Sequence, residues 1–459
     1  MGPTDGRRDR NRGSRPACRR HGPPVLGDAE PRSSPRPRLM RRRVLLVAPV
    51  MPRHTGSGLA RRAAMTLAAL ARDGEVDLFV VPVAGGEPSP PDHVLLEAAR
   101  IHVLSLQEHL DPHVALIARL TDPLEEARAM ERYPKPYLAR FCTAASAAEV
   151  FDWARICPPT VVHVMRLYLA PLAGPFLRLA PAVRPEMVLD LDDDELETRT
   201  RLADLCRLRG EDEAARQEER ERGKYETYVH RYLAAFDRVS LANPADAARI
   251  GRQFPSARTA VVPNGVLPPD GVPRHEPSAE GPLRLLFVGT LDYLPNADAV
   301  EFLCTAIRAA LHDLSSREIA IDIVGAGGEH LLNRFGRLED VRLHGYAPCL
   351  ASFYAAADVA IVPIRAGGGT RLKILEAFAH HVPVVSTALG AEGLGAVDGR
   401  ELLIGDSAAS IARACLRIKS DPALARHLAC RAGALVSRSH GPDAVAAALR
   451  RLRGRRVGP

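Results

Sequence analysis

The feature that most constrains the fold is the alternation of short apolar runs with amphipathic stretches. Residues 43–83 read RVLLVAPVMPRHTGSGLARRAAMTLAALARDGEVDLFVVPV. This is an apolar run, a glycine-bearing loop, a stretch of helical periodicity, a turn at Asp73-Gly74 and a second apolar run. Apolar runs without polar alternation are typical of strands that are covered on both faces. The segment is therefore predicted to be a β-α-β unit with parallel strands.

The same pattern recurs along both halves of the chain. It predicts further strands over 101–104, 161–165, 187–191, 238–242, from Thr259, and over 283–288, 319–324, 341–343, 359–363 and 382–386. It predicts helices over 296–311, 350–357 and 373–379. The very charged stretch 199–236 also favours helix, and its simplest interpretation is a solvated helical face.

Two sheets follow from this alternation, and 459 residues are enough for two domains. Residues 267–282, LPPDGVPRHEPSAEGP, hold five prolines and no apolar period, which is typical of an exposed connector. We therefore predict an α/β fold of two Rossmann-like, doubly wound parallel-sheet domains, over 40–266 and 283–438. A linker over 267–282 joins them, and a C-terminal helix and tail follow over 439–459.

The positive charge of the chain is concentrated at one end. Residues 1–43 hold 13 Arg against 4 Asp or Glu, while the whole chain has a net charge of +7, so the remainder is slightly negative. The folded body therefore has no basic excess for a nucleic-acid backbone. Residues 1–39 lack an apolar pattern and are predicted to be a disordered basic tail. Translation starting at Met40 and contact with anionic lipid or acidic partners are the two alternatives for this tail.

Location and metal content are predicted from what the sequence lacks. No run reaches the 18 or so uncharged apolar residues of a membrane span, and the N-terminus has no apolar signal core. We expect a cytoplasmic protein, with peripheral contact at the inner face of the membrane as the alternative. The eight cysteines have neither zinc nor redox spacing, so neither disulfides nor a metal are expected.

Two glycine-bearing loops follow predicted strands, where helix N-termini present free amides to anions. Gly56 and Gly58 follow the first strand, but Arg61 stands in the third position of the G-x-G-x-x-G pattern. A plain tight turn and a ligand contact are equally consistent with this first loop. The second loop, which we call the glycine loop, consists of Gly367, Gly368 and Gly369.

The glycine loop runs directly into Thr370, Arg371, Lys373 and Glu376 at the start of a predicted helix. Glycine allows the backbone to approach a ligand closely, and cations beside free amides suit a diphosphate. The alternative is a surface ion pair between Lys373 and Glu376, which lie three residues apart on one helix face.

At these residues the sequence resembles group 1 (family 4-like) glycosyltransferases of the GT-B class. The block RAGGGTRLKILEAFAHHVPVVSTALGAEGL carries the resemblance, and VVPNGV, LRLLFVGTLDYLPNADAVEFL, IDIVGAGG and VRLHGYAPCLASFYAAADVAIVPI support it. RVLLVAPVMP, VVHVM and VLDLDDDE extend it more loosely into the first half. The resemblance implies the GT-B fold, with two Rossmann-like domains facing a central cleft. The GGGTRLK form is similar to a branch associated with cell-surface polysaccharide and exopolysaccharide biosynthesis.

The resemblance also implies roles for residues of the second half. Glu376 stands where a carboxylate of the family holds the ribose of the nucleotide, and Gly368 stands where relatives often carry a glutamate that contacts the donor sugar. The Arg and Lys that usually clamp the diphosphate after Gly289 are absent, so Arg371 and Lys373 are the best substitutes. The remaining donor-binding candidates are backbone and acidic positions, namely Gly289, Gly367, Gly369, Thr370, Gly390, Glu392 and Gly393.

In the first half, His163 and Asp192 are the catalytic candidates. His163 lies in VVHVM, which resembles a strand whose histidine approaches the sugar in many relatives; a core histidine is the alternative. Asp192 belongs to the acidic run DLDDDE at a strand end, where like charges raise one another's pKa values. A general base, an acceptor-orienting group and a solvated loop are all compatible with this run.

The function implied by the resemblance is transfer of a sugar from a nucleotide-diphosphate sugar to a glycan, lipid-linked or small-molecule acceptor. Retention of the anomeric configuration is expected, without a metal or another cofactor. Three alternatives remain open: a non-catalytic sugar-nucleotide-binding protein, a GT-B sugar-nucleotide epimerase and a nicotinamide-dependent dehydrogenase.

Overall fold

The structure is a computed structural model that describes residues 42–269 and 276–453. The predicted tail over 1–39, the start of the first domain at Met40, residues 270–275 of the predicted linker and residues 454–459 of the predicted C-terminal tail lie outside these ranges.

The described residues form thirteen strands. In chain order these are β1 (Arg42–Ala48), β2 (Gly74–Val80), β3 (Arg100–Val103), β4 (Val161–Met165), β5 (Glu186–Asp192), β6 (Arg238–Leu241), β7 (Thr259–Val261), β8 (Leu283–Val288), β9 (Ile319–Val324), β10 (Val341–Leu343), β11 (Val359–Val362), β12 (Val384–Ser386) and β13 (Leu403–Ile404).

The strands form two sheets of the same topology. The first has the order β3-β2-β1-β4-β5-β6-β7, and the second has the order β10-β9-β8-β11-β12-β13. All neighbouring strands in both sheets are parallel. The strand order reverses beside β1 in one sheet and beside β8 in the other, so each sheet has a topological switch point. We call each sheet with the helices around it the first half and the second half.

Seventeen α-helices accompany these strands within the described ranges. They are α1 (Gly58–Ala71), α2 (Asp92–Glu97), α3 (Pro112–Ile117), α4 (Pro123–Glu131), α5 (Ala144–Arg155), α6 (Gly174–Leu177), α7 (Glu195–Leu208), α8 (Asp212–Tyr232), α9 (Pro244–Gln253), α10 (Leu294–Phe302), α11 (Arg308–Leu314), α12 (Glu329–Phe335), α13 (Ala351–Ala356), α14 (Leu372–Ala379), α15 (Ala408–Ser420), α16 (Pro422–Ser439) and α17 (Pro442–Arg453). Short 3-10 turns lie at Tyr137–Phe141, Leu167–Ala173 and Leu233–Ala235.

The α/β fold with two doubly wound parallel sheets is confirmed, and every strand predicted from an apolar run is present. The two-residue strand β13 was not predicted, because so short a segment has no readable period. The helix predicted over 296–311 begins earlier, at Leu294, and contains a π-helical turn at Leu303–Ile307 that joins α10 to α11. The charged stretch forms two helices, α7 and α8, which separate near Gly210, where φ is 77°.

The interpretation of that charged stretch as a solvated face is wrong at three arginines. Arg201 pairs with Glu392, Arg209 pairs with Glu301, and Arg199 pairs with Glu195 and Glu218. Apolar residues of α7 also pack against the second half, since Leu202 and Leu205 share a small core with Ala366. The helical pair formed by α7 and α8 therefore belongs to the contact between the two halves.

Helix α17 returns to the first half after the whole second half has been built. Val445, Leu449 and Leu452 are buried in the core that also contains β1 and α1. At the surface, Arg450 pairs with Asp73 at 3.0 Å, just after α1. The first half is therefore completed by a distant part of the chain.

Candidate functional site

The glycine loops predicted from the sequence lie at the two switch points. Gly56 and Gly58 follow β1, Gly289 follows β8, and the glycine loop follows β11. Ligands of doubly wound proteins bind beyond the carboxyl ends of the strands at such points. The sheet topology therefore brings these loops to the place where a ligand is expected.

Helices α1 and α14 begin beside one another. A Cβ atom added to Gly58, the first residue of α1, would lie 3.1 Å from Cδ1 of Leu372, the first residue of α14. Ser57 caps α1 by accepting a hydrogen bond from the amide of Ala60 at 3.2 Å. The first turn of a helix presents free N–H groups and a partial positive charge. Two such ends at one place form a site suited to an anion.

Lys373 brings a cation from α14 to the loop after β8. Its Nζ donates a hydrogen bond to Asn296 Oδ1 at 2.7 Å and lies 4.3 Å from the centre of the Phe287 ring. A Cβ atom on Gly289 would lie 2.8 Å from the same Nζ and 2.9 Å from Asn296 Nδ2, so a larger residue there would require both side chains to shift. Burial, with added repulsion from Arg371, lowers the pKa of Lys373 to about 7. An anion beside this ammonium would favour its charged form.

Glu376 lies on the same face of α14 and receives hydrogen bonds from two elements. Its Oε1 accepts from Arg61 Nη2 at 3.1 Å, and its Oε2 accepts from the Tyr354 hydroxyl at 3.3 Å. Arg61 lies in the first turn of α1, so this ion pair joins the two halves. The side chains of Arg61 and Glu376 are each 14% exposed, which leaves both within reach of a ligand at the cleft.

Arg371 points back onto the glycine loop. Its guanidinium donates to the carbonyl oxygens of Gly368, of Gly369 at 2.9 Å and of Ala366 at 3.3 Å. Thr370 Oγ1 and Arg371 Nε are buried and have no hydrogen-bond partner within the described ranges. Buried polar atoms without partners call for a bound molecule or water. The structure thus places Arg371 as a brace of the loop, in contrast to Lys373, whose ammonium faces the loop after β8.

The turn after β12 carries Glu392 between Gly390 and Gly393. Arg201 of α7 forms two hydrogen bonds with Glu392, at 2.6 and 3.1 Å, and donates to the carbonyl of Gly367 at 3.3 Å. Gly390 donates its amide to Thr387 Oγ1 at 2.9 Å. Glu392 therefore has a partner from the first half and forms a further ion pair between the halves.

A cluster of carboxylates follows β5 at the facing edge of the first sheet. We call it the acidic edge; it consists of Asp190, Asp192, Asp193, Asp194 and Glu195. Arg166 pairs with Asp192 at 3.4 Å, with Asp193 at 2.6 Å and with Glu195. Arg62 pairs with Asp190 at 2.6 Å, and Arg249 pairs with Asp194 at 2.8 Å.

The acidic edge is a buried ion network, so its interpretation as a solvated loop is wrong. Burial raises the pKa values of Asp192 and Glu195, whereas Arg62 holds the pKa of Asp190 below its usual value against the effect of burial. Arg166 and Asp192 also have φ values of 70° and 68°, in the left-handed region that strains residues other than glycine. Such strain persists where the surrounding contacts fix it and is concentrated at functional sites.

The structure corrects the assignment of His163 as a catalytic residue. His163 lies within β4, its side chain is fully buried, and neither ring nitrogen has a hydrogen-bond partner in the described part of the chain. Burial lowers its pKa to about 4, which keeps the ring neutral. Arg166, directly after β4, takes the place at the strand end. The full burial of His163 favours the core histidine of the two interpretations.

Three arginines of this site were not predicted from the sequence: Arg61, Arg166 and Arg201. Arg166 carried a usable signal, because a charged residue directly after a buried strand lies at the ligand edge of a parallel sheet. Arg61 and Arg201 carried none, since their partners lie 315 and 191 residues away.

Within the described ranges, no helix is both long and apolar enough to cross a membrane. In the same residues, no three side chains of His, Cys, Asp or Glu are grouped so that they could hold a metal ion. Independence of a metal stays a prediction.

Two doubly wound sheets with their ligand edges in contact define a protein of the GT-B class, and solved structures agree. Sucrose-phosphate synthase from Thermosynechococcus elongatus is 18% identical, with a TM-score of 0.60 over 90% of this chain and 98% of that chain. HepE from Anabaena, solved with UDP and glucose, is 13% identical, with a TM-score of 0.57 over 89% and 98%. An E. coli trehalose-6-phosphate structure with bound UDP-2-fluoro glucose is 14% identical, with a TM-score of 0.58 over 89% and 98%. At these identities the likeness shows the fold, and the predicted GT-B fold is confirmed.

The family comparison narrows the class. A family model described as "Glycosyl transferases group 1" matches residues 282–421, a range that includes the whole second sheet, Gly289, the glycine loop and α14. No curated protein sequence matches the chain. The match and the fold together support a glycosyltransferase. The branch indicated by the GGGTRLK motif stays a prediction.

Proposed function

We propose that this chain transfers a sugar from a nucleotide-diphosphate sugar to a glycan, lipid-linked or small-molecule acceptor, with retention of the anomeric configuration. The observation that carries the proposal is the meeting of the α1 and α14 N-termini beside Lys373. Of these, α14 and Lys373 lie in the stretch that matches group 1 glycosyltransferases. Helix N-termini and a buried cation are the groups that bind a diphosphate and stabilise its charge as it leaves.

In this proposal successive residues in the first turns of α14 bind successive parts of the donor. Glu376 accepts hydrogen bonds from the ribose hydroxyls, and Lys373 and the free amides of both helices bind the diphosphate. The sugar then lies toward the glycine loop, which comes before Lys373 in the chain. The unpartnered Thr370 Oγ1 and Arg371 Nε support a polar ligand at that end.

The cation at Lys373 would act on the leaving group. Burial disfavours its charge in the free protein, so the interaction strengthens as negative charge builds on the departing diphosphate. An interaction that is stronger in the transition state than in the ground state raises turnover. Lys373 therefore carries the catalytic part of this proposal, and Arg371 keeps the loop in shape for it.

Donor entry must separate contacts that now join the two halves. Arg61 occupies Glu376 Oε1, and Arg201 occupies Glu392. A ribose that bonds to Glu376 therefore competes with Arg61 and couples nucleotide binding to the opening and closing of the cleft. Closure over the donor would exclude water and limit hydrolysis of the nucleotide sugar.

The first half supplies the acceptor side of the proposal. Asp192, at the end of β5, is the residue of the acidic edge that would accept hydrogen bonds from the hydroxyl groups of an acceptor. The similarity of GGGTRLK to the polysaccharide branch supports an acceptor in cell-surface polysaccharide or glycoconjugate biosynthesis. We place the reaction in the cytoplasm, with the inner face of the membrane as the source of a lipid-linked acceptor.

The proposal is tested by a thermal-shift panel of UDP-, GDP-, ADP- and CMP-sugars, followed by a transfer and hydrolysis assay with each donor that binds. A ligand that binds only the folded state raises the melting temperature. We expect one nucleotide class to do so and to release its nucleoside diphosphate, more slowly in Lys373→Met. Binding without turnover would favour the non-catalytic sugar-nucleotide-binding protein. Absence of any shift would refute a nucleotide-sugar site.

A further inference from the structure

We propose that Asp193, a residue of the first half, is the carboxylate that recognises the donor sugar, which it meets at the glycine loop of the second half. This inference rests on the proposed function and deepens it, because it assigns the sugar-binding contact of that site. The juxtaposition of Asp193 with Gly368 and Gly369 carries it.

Gly368 is a glycine because of its neighbours from the first half. Its φ lies outside the left-handed region, in contrast to Gly367 at 94° and Gly369 at 68°, so its backbone would accept any residue. A Cβ atom on Gly368 would, however, overlap with the hydroxyl of Thr198 and lie 3.1 Å from Asp193 Oδ2. A Cβ atom on Gly369 would lie 3.3 Å from Cβ of Asp193. The hydroxyl of Thr198 and the carboxylate of Asp193 thus both lie in front of the loop.

The carboxylate of Asp193 is fixed in orientation. Its Oδ1 accepts a hydrogen bond from Arg166 Nη1 at 2.6 Å, and its Oδ2 accepts one from the Thr198 hydroxyl at 3.2 Å. A carboxylate has about four lone-pair sites, so acceptor capacity remains on both oxygens. Arg166, whose φ is 70°, also bonds to Glu195, so the guanidinium is held between two carboxylates.

The position relative to α14 identifies the chemistry of the ligand group. Glu376, which is assigned to ribose, lies farther along α14 than Lys373, which is assigned to the diphosphate. Gly368 comes before both residues in the chain. The group that follows the diphosphate in a nucleotide sugar is the sugar itself, whose hydroxyls donate hydrogen bonds to a carboxylate. Asp193 therefore contacts sugar hydroxyls and contributes to the choice of sugar, without touching the nucleotide.

The test compares the free nucleotide with the nucleotide sugar in Asp193→Asn, Asp193→Glu and a control, Asp246→Asn. The probes are the panel member that gives the largest thermal shift and its nucleoside diphosphate. We expect Asp193→Asn to bind the nucleotide sugar about 10- to 100-fold more weakly, as for a lost charged hydrogen bond, with unchanged affinity for the nucleoside diphosphate. Asp193→Glu should recover part of this loss. Asp246 is buried, pairs with Arg249 and belongs to the same acidic region, so its variant reports general damage to that region.

A relocation variant keeps the inference falsifiable if Asp193→Asn folds poorly. Combining Asp193→Ala and Thr198→Ala opens the space before Gly368, and adding Gly368→Glu returns a carboxylate to it from the other half. We expect the triple variant to bind the nucleotide sugar at least fivefold more tightly than the double variant. Equal loss of nucleotide and nucleotide-sugar affinity in Asp193→Asn, or no change in either, would overturn the inference. Binding of the nucleotide sugar to the wild type tests the proposed function separately. A wild type that binds no nucleotide sugar would refute the proposed function, whereas the comparison of variants tests the role of Asp193.

Discussion

The two halves of the molecule have the same strand order but opposite chemistry at the edges where they meet. The first half presents the acidic edge, five carboxylates held by arginines such as Arg62, Arg166 and Arg249. The second half presents glycines and the cation Lys373, with Glu376 as its nearest carboxylate on α14. One topology thus supports a surface of fixed ionic side chains and a surface formed largely by glycine backbone.

The difference shows that the fold determines the position of the ligand site, whereas the residues at the strand ends determine the chemical class of ligand that binds there. A buried ion network is costly to break, so removal of an arginine from the acidic edge should act mainly on stability. Within the described residues, Lys373 makes one side-chain hydrogen bond, to Asn296, so its substitution should act mainly on activity. The following predictions test this contrast.

The largest effect is expected for the double variant Arg371→Ala/Lys373→Ala. It removes the cation that faces the diphosphate and the brace of the glycine loop, so turnover should fall by roughly a thousandfold or more. The single variants should lower turnover more than donor affinity. Steady-state kinetics at saturating donor measures both effects. Turnover within about twofold of wild type in both single variants would remove these residues from the diphosphate site.

Arg166→Met should affect stability more than any substitution in the glycine loop. It leaves the buried Asp193 without its cation and Glu195 with only the more distant Arg199, which costs about 3–5 kcal/mol of the free energy of unfolding. Urea denaturation at pH 7 measures this loss, with Arg220→Met on the surface of α8 as the control. A loss below about 1 kcal/mol would mean that the network behaves as exposed ion pairs do, and the contrast between the halves would fail.

Glu376→Ala and Arg61→Ala should separate the two partners of one ion pair. Without Glu376 the ribose loses a charged hydrogen bond, and the affinity for the nucleoside diphosphate should fall by roughly 1.5–3 kcal/mol. Without Arg61 the carboxylate is released from competition, so affinity should stay within about 1 kcal/mol or improve. Titration calorimetry with the nucleoside diphosphate measures the affinity of both variants. An equal loss of affinity in both would mean that Arg61 also contacts the ligand.

The smallest effect concerns pH. The pKa of Lys373 is lowered to about 7, so in the free protein this group loses its proton as the pH rises through 7, and diphosphate binding must restore it. Affinity for the nucleoside diphosphate should therefore fall by up to about tenfold per pH unit above 7, with proton uptake on binding. Calorimetry in buffers of different ionisation enthalpy detects the uptake. The variant Lys373→Arg stays cationic and should bind with little pH dependence; the same dependence in both proteins would exclude Lys373 as its source.

The fold could be predicted from the sequence because buried parallel strands are apolar on both faces. The strands at Val161–Met165, Leu283–Val288 and Ile319–Val324 have the bounds that their apolar runs indicate. The π-helical turn at Leu303–Ile307 could not be predicted, since a single inserted residue hardly changes a helical period. The return of α17 to α1 could not be predicted either, because an amphipathic stretch does not indicate which surface it covers.

The second half of the candidate site was predicted with its contacts, whereas the acidic run of the first half was singled out without its partners. The glycines and cations of the second half lie close together in sequence, so local spacing was enough to single them out. The contacts from the first half depend on the way the halves meet, and Arg61, Asp193 and Arg201 approach residues that lie far away in the chain. The catalytic role of His163 was predicted from the resemblance of its strand to that of relatives. The burial of the side chain, which determines what the ring can contact, could not be read from the sequence.

Helix α17 has a consequence for the making of the protein. Some 370 residues separate the end of α1 from Pro442, so at about 5–20 residues per second the ribosome needs roughly 20 to 70 seconds to deliver the helix that covers α1. During this time the apolar face that later receives Val445 and Leu449 is open to chaperones and to other nascent chains. A product that is shortened before Pro442 keeps this face uncovered however well its second half folds, and the cell can recognise it as unfinished.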